Sequence, residues 1–461
     1  MNSTEIKEIM DSQKNFYRSG QTREINFRIK MLTKLRESIL NYESHILDAL
    51  YKDLGKSPAE SYMTEVGMVL KEISFALKNI NKWTKDEHTM PSILTFLSKD
   101  IIRREPYGTV LIISPFNYPF YLSFIPTISA ISGGNTIVLK VSKFSNNTSQ
   151  VIKKIVEDAF DPSYIKCICG ERVSGQELTK QAFDYIFFTG SSSVGKEVMK
   201  AASENLIPVT LELGGKSPVF VDKTANLKDT AESIIWGKLT NAGETCIAPD
   251  YLLVDKLISE ELIKELELAI ERMYGQDIIN NPDYSRIINE KHVERIENIL
   301  ERDKEFIIYG GKIDKEKRFV SPTLLKLNDY NAASMEEELF APVLPIIEYD
   351  VLCDSISYVV NNAKPLALYI FSKDTDYTNK IINDIDSGGV TVNDVMTHII
   401  NPRLPFGGVG MSGMGYSGGK HGFETFTRKR AISIRKYNFT KFIQYPPLKK
   451  STISLLKKFM K

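Results

Sequence analysis

The chain has 461 residues, 42% hydrophobic and 25% charged, which is ordinary globular usage. That length exceeds what one hydrophobic core supports, so two or more domains are expected. Lysine plus arginine (59) nearly cancels aspartate plus glutamate (58), which removes the basic footprint of a nucleic-acid binder and leaves only local patches.

The first hundred residues read as helices. Leu32, Leu35, Ile39 and Tyr42 recur at three- and four-residue spacing, and Val66, Val69, Leu70, Ile73 and Leu77 repeat the pattern. No basic stretch followed by an apolar core opens the chain, so no secretory signal is expected. The uncharged run 108–135 has the length of a membrane span, but Pro115, Pro119 and Pro126 interrupt it. Each proline removes a helical donor, so a buried strand, a loop and a helix fit it better.

From Thr109 the rhythm changes. Short apolar runs at 109–114, 136–140, 165–169, 185–188 and 209–213 alternate with helical periodicity, and a second such series runs from Pro218 to about Val392. This alternation predicts an α/β fold built on parallel, doubly wound sheets with helices on both faces. Glycines then crowd 405–422, where a loop passing close to other backbone is expected in place of a regular helix or strand.

Four stretches hold candidate chemistry. I-S-P-F-N-Y-P (113–119) holds Asn117 between two prolines after a strand, either as an oxyanion donor or as ordinary turn chemistry. F-T-G-S-S-S-V-G-K (188–196) places Gly190, Ser191 and Gly195 where a strand meets a helix, suited to capping or to phosphate binding. Its G-x-x-x-x-G spacing is not the dinucleotide fingerprint G-x-G-x-x-G. T-L-E-L-G-G-K-S-P (210–218) ends an apolar strand on Glu212, either a paired structural acid or a base of raised pKa. N-A-G-E-T-C-I-A-P-D (241–250) sets Cys246 among turn and cap residues, where it is either an inert core thiol or one whose thiolate is favoured by converging N–H groups.

The other cysteines, Cys167, Cys169 and Cys353, make no disulfide framework, and the five histidines lack metal-ligand spacing. A reducing, intracellular (cytoplasmic) protein without a structural metal is expected.

These four stretches, with E-E-E-L-F-A-P-V-L-P (336–345), S-G-G-V-T-V-N-D-V (387–395), K-P-L-A-L-Y-I-F-S (364–372) and L-P-F-G-G-V-G-M-S-G-M-G (404–415), give a sequence that resembles the aldehyde dehydrogenase superfamily over nearly the whole chain. It is most similar to the class 3 branch, which oxidises fatty and aromatic aldehydes. The resemblance implies NAD(P)-dependent oxidation of an apolar aldehyde to the carboxylic acid. Cys246 would be the nucleophile, and Asn117 with the Cys246 N–H would hold the oxyanion. After hydride transfer to the nicotinamide, Glu212 would activate the water that hydrolyses the thioester. Lys140 and Glu338 would bind the two riboses, Phe340 would pack beside the nicotinamide, and Ser191 would meet the pyrophosphate, with Gly190 and Gly195 in the same turn. A phosphate- or coenzyme A-dependent reductase of the superfamily, or a non-catalytic homologue, is the alternative; Glu212 speaks against the first, and the presence of Cys246, Glu212 and Asn117 against the second.

The resemblance also implies an organisation: a cofactor domain from 1–91 and 106–212, a catalytic domain at 213–415, bridging strands at 92–105 and 431–442, and a homodimer. Three departures stand out. Glu244 replaces the branch's usual glutamine and would oppose thiolate formation; Ala341 replaces a glycine and would tighten the nicotinamide pocket. Lys143 stands where a glutamate commonly repels a 2′-phosphate, so both NAD and NADP are expected to serve. Tyr118, Tyr121, Trp236 and Phe406 read either as an apolar tunnel or as core aromatics. The tail, 443–461, is basic and partly apolar. It reads as a solvated or subunit-packed segment before a weak contact with an anionic membrane surface.

Overall fold

The apolar spacings of the first hundred residues become helices with their apolar faces inward in the computed structural model, which describes residues 3–92, 95–170, 175–438 and 440–459. The helix Ile25–Asn41 buries Leu32, Leu35 and Ile39, and Gly67–Trp83 buries Val69, Ile73 and Ile80. Both faces join one core with the first large sheet.

Strands β1 (Glu87–Thr89) and β2 (Lys99–Pro106) pair antiparallel and lead into that sheet. Its parallel strands are β3 (Thr109–Ile113), β4 (Thr136–Lys140), β5 (Ile165–Ile168), β6 (Tyr185–Thr189) and β7 (Val209–Glu212). Covered on both faces, they read as continuous apolar runs. The uncharged run resolves into β3, a turn and the buried helix Tyr121–Gly133. Three of its hydroxyls bond back one turn, Ser123 to Pro119 O, Thr127 to Ser123 O and Ser132 to Ile128 O, while Ser129 Oγ is buried without a partner. Among the described residues no helix is long and apolar enough to cross a membrane.

The strand order β7-β6-β3-β4-β5 places the topological switch between β3 and β6. In an open parallel sheet the crevice outside the carboxyl ends at that point is the ligand position. Asn117 follows β3, Lys140 ends β4, Gly190 follows β6 and Glu212 ends β7. One edge of one sheet therefore collects residues spread over almost a hundred positions.

The second series forms β8 (Pro218–Val221), β9 (Tyr251–Asp255) and β10 (Ile307–Tyr309), a separate hairpin of β11 (Ile313–Asp314) and β12 (Phe319–Val320), then β13 (Thr323–Leu327), β14 (Val343–Tyr349), β15 (Ala367–Phe371) and β16 (Gly389–Val392). The sheet order is β10-β13-β14-β9-β8-β15-β16, parallel except for edge strand β10. β17 (Gly413–Met414) then returns to the first sheet and pairs antiparallel with β7, setting Gly413 opposite Glu212. β18 (Thr427–Ile434) pairs along β2 and completes a three-stranded sheet.

The glycine-rich stretch departs from expectation: it holds β17 and the helix Gly419–Thr425 as well as loop. Glycine is needed there for close approach, since a Cβ on Gly413 (φ +140) would lie 2.2 Å from Leu211 O. Of the segments expected to bridge subunits, residues 93, 94 and 439 lie outside the described residues, as do 460 and 461 of the tail.

Candidate active site

Cys246 sits on a loop whose approach is unusual. Asn241 (φ 54), Ala242 (φ 50) and Gly243 (φ 77) are successively left-handed, which turns the chain sharply out of the helix Leu227–Leu239. Only glycine fits at 243, where a Cβ would meet Ala341 O at 2.3 Å. The strain at Asn241 is held by two contacts. Its N–H donates to Glu60 Oε1 at 2.7 Å, and its side-chain amide donates to Asn117 O at 2.8 Å.

The loop is tied to the Asn117 turn from both sides. Asn117 Nδ2 donates to Glu244 O at 3.0 Å, and the Tyr118 hydroxyl lies 2.7 Å from Thr245 Oγ1. Beneath both runs a buried ion pair. Lys56 Nζ bonds Glu65 Oε1 at 2.6 Å and Asn117 O at 3.0 Å, and sits 3.9 Å from the Tyr118 ring centroid. Glu65 Oε2 in turn accepts from the Phe120 and Tyr121 N–H groups, so every charge in this network is paired.

A third segment closes the site. Lys216 Nζ bonds Asp250 Oδ2 at 2.5 Å together with Ser334 O and Glu337 O, while Asp250 Oδ1 accepts from Leu339 N–H. Arg295 grips the same strip, bonding Glu337 Oε1 and the Leu339 carbonyl. These clamps hold Glu338 and Phe340 against the Cys246 loop.

The result is a cavity of about 470 Å³ lined by Asn117, Gly190, Ser191, Glu212, Cys246, Glu338 and Phe340. Its apolar walls include Tyr121, Leu122, Phe187, Leu366 and Phe406. Of the expected residues, Lys140, Lys143 and Gly195 do not line it. Gly195 is buried under its helix against Leu213, where a Cβ would come within 2.7 Å, so it permits close helix–strand packing. Lys140 Nζ bonds Gly170 O at 2.8 Å at the end of β4, and Lys143 Nζ lies 5.3 Å from the Phe144 ring centroid.

Burial shapes the electrostatics of Cys246, Glu212 and Glu338. Burial pushes the Cys246 thiol well up, and Glu338 and Glu212 add to this; the N–H groups of Cys246 and Ile247, both directed at the sulfur, act the other way. Both Glu212 oxygens are buried without a hydrogen-bond partner, and burial alone raises its pKa far above the carboxylate range. Glu338 is pushed up to about 8, first by burial and then by Asp250; its Oε1 has no partner and suits a ligand hydroxyl. A Cβ on Gly214 would strike this carboxylate at 2.0 Å, so the glycine pair after Glu212 makes room for Glu338.

Two sequence expectations, for Glu244 and Ala341, are corrected, and the open reading of the aromatics is resolved. The Glu244 side chain does not face the thiol: it is fully buried, accepts from Ile288 N–H at 3.2 Å and lies 3.7 Å from His292 Nδ1. Burial raises it to about 8, so in its neutral form it has no charge with which to oppose the thiolate. The Ala341 methyl packs into the core of the second sheet instead of narrowing the cavity. Of the four aromatics, Tyr121 and Phe406 line the cavity, while Tyr118 is held by Thr245 and Trp236 packs in the second sheet's core. Lys56, Glu65, Glu60 and Arg295 went unnoticed in the sequence, because nothing in G-K-S-P-A-E-S (55–61) indicates which residues it will meet.

The model of the aldehyde dehydrogenase family matches residues 1–432. The chain is 46% identical over 444 residues to the 4,4'-diaponeurosporen-aldehyde dehydrogenase of Staphylococcus aureus, covering 96% of this chain and 97% of that one. It is 40% identical over 444 residues to the dimeric NADP-preferring aldehyde dehydrogenase of Mus musculus, covering 96% and 98%. Among solved structures, the substrate-bound Staphylococcus aureus AldH superposes with a TM-score of 0.97 at 45% identity, covering 100% of both chains. The glyceraldehyde-3-phosphate dehydrogenase GapN of Methanocaldococcus jannaschii, complexed with NADP, gives 0.84 at 27%, covering 95% of both.

Proposed function

The chain belongs to the aldehyde dehydrogenase family, and on that footing we propose that it oxidises an apolar aldehyde to the carboxylic acid through a covalent intermediate on Cys246. It is an aldehyde dehydrogenase that uses NAD or NADP. The observation that carries the substrate class is the cavity itself: the Cys246 thiol, the Asn117 amide and the unpartnered Glu212 carboxyl meet inside walls of Tyr121, Leu122, Phe187 and Phe406. The name of the Staphylococcus aureus relative supports the same class.

In this reading Cys246 adds to the aldehyde carbon once its proton has left, and the two N–H groups at its sulfur favour the thiolate. Asn117 keeps one amide hydrogen on Glu244 O and offers the other to the oxygen that becomes negative. Bound NAD or NADP supplies the two-electron acceptor; Lys140, Lys143, Ser191, Glu338 and Phe340 are the residues that would hold it, with Gly190 and Gly195 shaping the turn. The unpartnered Glu338 oxygen and the helix start at Ser192 support that placement. Glu212 then takes the proton of the water that cleaves the thioester. Its raised pKa makes it a stronger base than an exposed carboxylate once it is ionised.

Beyond the site, we assign cofactor binding to 1–91 and 106–212 and catalysis to 213–415. We also propose a homodimer, supported by the dimeric relative and by the open outer edge of β18. Buried Ile443 and Thr452 support a tail packed on protein rather than lying on a membrane. The four free cysteines support a reducing, cytoplasmic setting. The test is a panel of aliphatic and aromatic aldehydes with NAD and NADP, without phosphate or coenzyme A. Release of free acid with reduced nicotinamide, best for apolar aldehydes, is expected; preference for charged or sugar aldehydes defeats the substrate reading.

A further inference from the structure

The carboxyl edge of β5 carries a feature that the reaction does not use. Cys167 lies in β5 and Cys169 one residue past its end, two positions apart, and the sulfurs are 3.9 Å apart. Cys167 is buried in the first core, while Cys169 is half-buried and its thiol lies 3.2 Å from Ser149 O on the neighbouring helix Asn146–Ala159. The next residue is Gly170, left-handed at φ 75, whose carbonyl accepts from Lys140 Nζ at 2.8 Å. Lys140 is also fixed from the strand side, since β4 and β5 pair Lys140 with Ile168 and Val141 N–H donates to Ile168 O. Ile168, Cys169 and Gly170 thus form a short arm with a dithiol at its root and a cofactor-facing lysine at its tip.

We propose that Cys167 and Cys169 are a peroxide-sensing dithiol whose closure to a disulfide displaces Gly170 and Lys140 and so weakens NAD(P) binding. The effect on the cofactor rests on the reading of Lys140 given above; formation of the bond does not.

The asymmetry of the pair sets the order of steps. Cys169 is the more accessible thiol, and hydrogen bonding from Cys167, with Lys153 and Lys140 nearby, lowers its pKa against the opposing effect of burial. Cys167, hydrogen-bonded to Cys169 and buried, is held well above it. The Cys169 thiolate therefore attacks a peroxide oxygen, the O–O bond breaks, and a sulfenic acid and hydroxide result. The Cys167 sulfur then attacks Cys169 Sγ, the S–S bond forms, the S–O bond breaks, and the hydroxyl leaves with the Cys167 proton as water. Two thiols lose two electrons and the peroxide is reduced to two waters.

Geometry explains why closure would be felt at the cofactor edge. Cα atoms two apart on a strand are separated by about 6.6 Å, close to the upper end of the range a disulfide accepts. Bringing sulfurs from 3.9 Å to bonding distance requires about 1.9 Å of approach. Cys167 is locked in the core and in register with Leu139, so the movement falls on Cys169 and the left-handed Gly170.

The experiment uses the full chain as Cys246→Ala, so that the reactive site thiol cannot respond. After stoichiometric hydrogen peroxide, the tryptic peptide 167–172 should lose about 2 Da, the Kd for NADH by fluorescence should rise about threefold or more, and dithiothreitol should reverse both. Cys167→Ser in the same background should keep the untreated Kd and lose the response; Cys169→Ser, at the less buried position, repeats the test should the first variant fold poorly. No mass loss, mass loss with an unchanged Kd, or a response that survives both serine variants overturns the proposal. An unchanged NADH Kd in Lys140→Ala would instead remove the cofactor reading of Lys140, whatever the peptide mass shows.

Discussion

The Asn117 side chain donates to the Glu244 carbonyl at 3.0 Å, across 127 positions of sequence. The same carbonyl also accepts from Asn241 Nδ2 at 3.1 Å, so one backbone oxygen aligns two amides. An Asn amide has two hydrogens, and this bond fixes the direction of the free one. Asn117→Ala should therefore lower kcat about 100- to 1,000-fold, the usual effect of losing one preorganised oxyanion donor. Steady-state kinetics should show KM changed far less than kcat; a fall confined to KM would make Asn117 a binding residue only.

Glu212 is unpartnered and close enough to Cys246 to raise its pKa. Glu212→Gln should permit one round of aldehyde oxidation and then stall at the thioester. Stopped-flow absorbance should show a burst of reduced nicotinamide near one equivalent, with little turnover after it. Wild-type turnover would transfer the role to another acid, with Glu338 the first to test.

Glu244 lends itself to a stability test. Its folded pKa of about 8 lies above the ordinary 4.5, so the folded state binds the extra proton. Its share of stability is then full below about pH 4.5, falls as pH rises towards 8 and levels off above, with a slope of at most about 1.4 kcal/mol per pH unit. Glu244→Gln keeps an acceptor for Ile288 N–H and removes the titration. The variant's melting temperature should pull ahead of the parent's as pH rises from 4.5 to 8 and keep a constant lead above, and the gap should vanish near pH 4.5. A constant gap would point to packing instead.

Lys143 stands beside Lys140 at the end of β4 and helps to lower its pKa. A lysine there can meet a 2′-phosphate where a glutamate would repel it, with an exposed contact contributing about 0.2–1 kcal/mol. NADP should therefore be used alongside NAD, and Lys143→Glu should lose kcat/KM for NADP several-fold more than for NAD. Equal losses with the two cofactors would dismiss the contact.

The parallel strands were legible because apolar runs such as 136–140 and 185–188 record burial on both faces, and that is a local property of the chain. Cys246, Glu212 and Asn117 could be picked out as candidates because their neighbours are turn and strand-end residues, again a local signal. What surrounds them could not be read this way. Glu244 looked like a threat to the thiol because it is two residues away in sequence; the left-handed run at 241–243 turns its carboxyl towards Ile288 instead. Nothing in the sequence around Lys56 or Glu65 marks them, yet they form a fully buried pair under the Asn117 turn.

Sequence alone therefore determined most secondary elements and the α/β alternation, and marked Cys246, Glu212 and Asn117 as candidates, since each depends on periodicity or on residues a few positions apart. Tertiary structure alone decided which acids are unpartnered, which charge is neutralised by burial and which aromatics face the cavity. Those properties depend on dielectric and on hydrogen-bond partners supplied from far along the chain, as Glu60 is for Asn241 across 181 positions. No local pattern encodes a partner that only the folded chain brings within 3 Å.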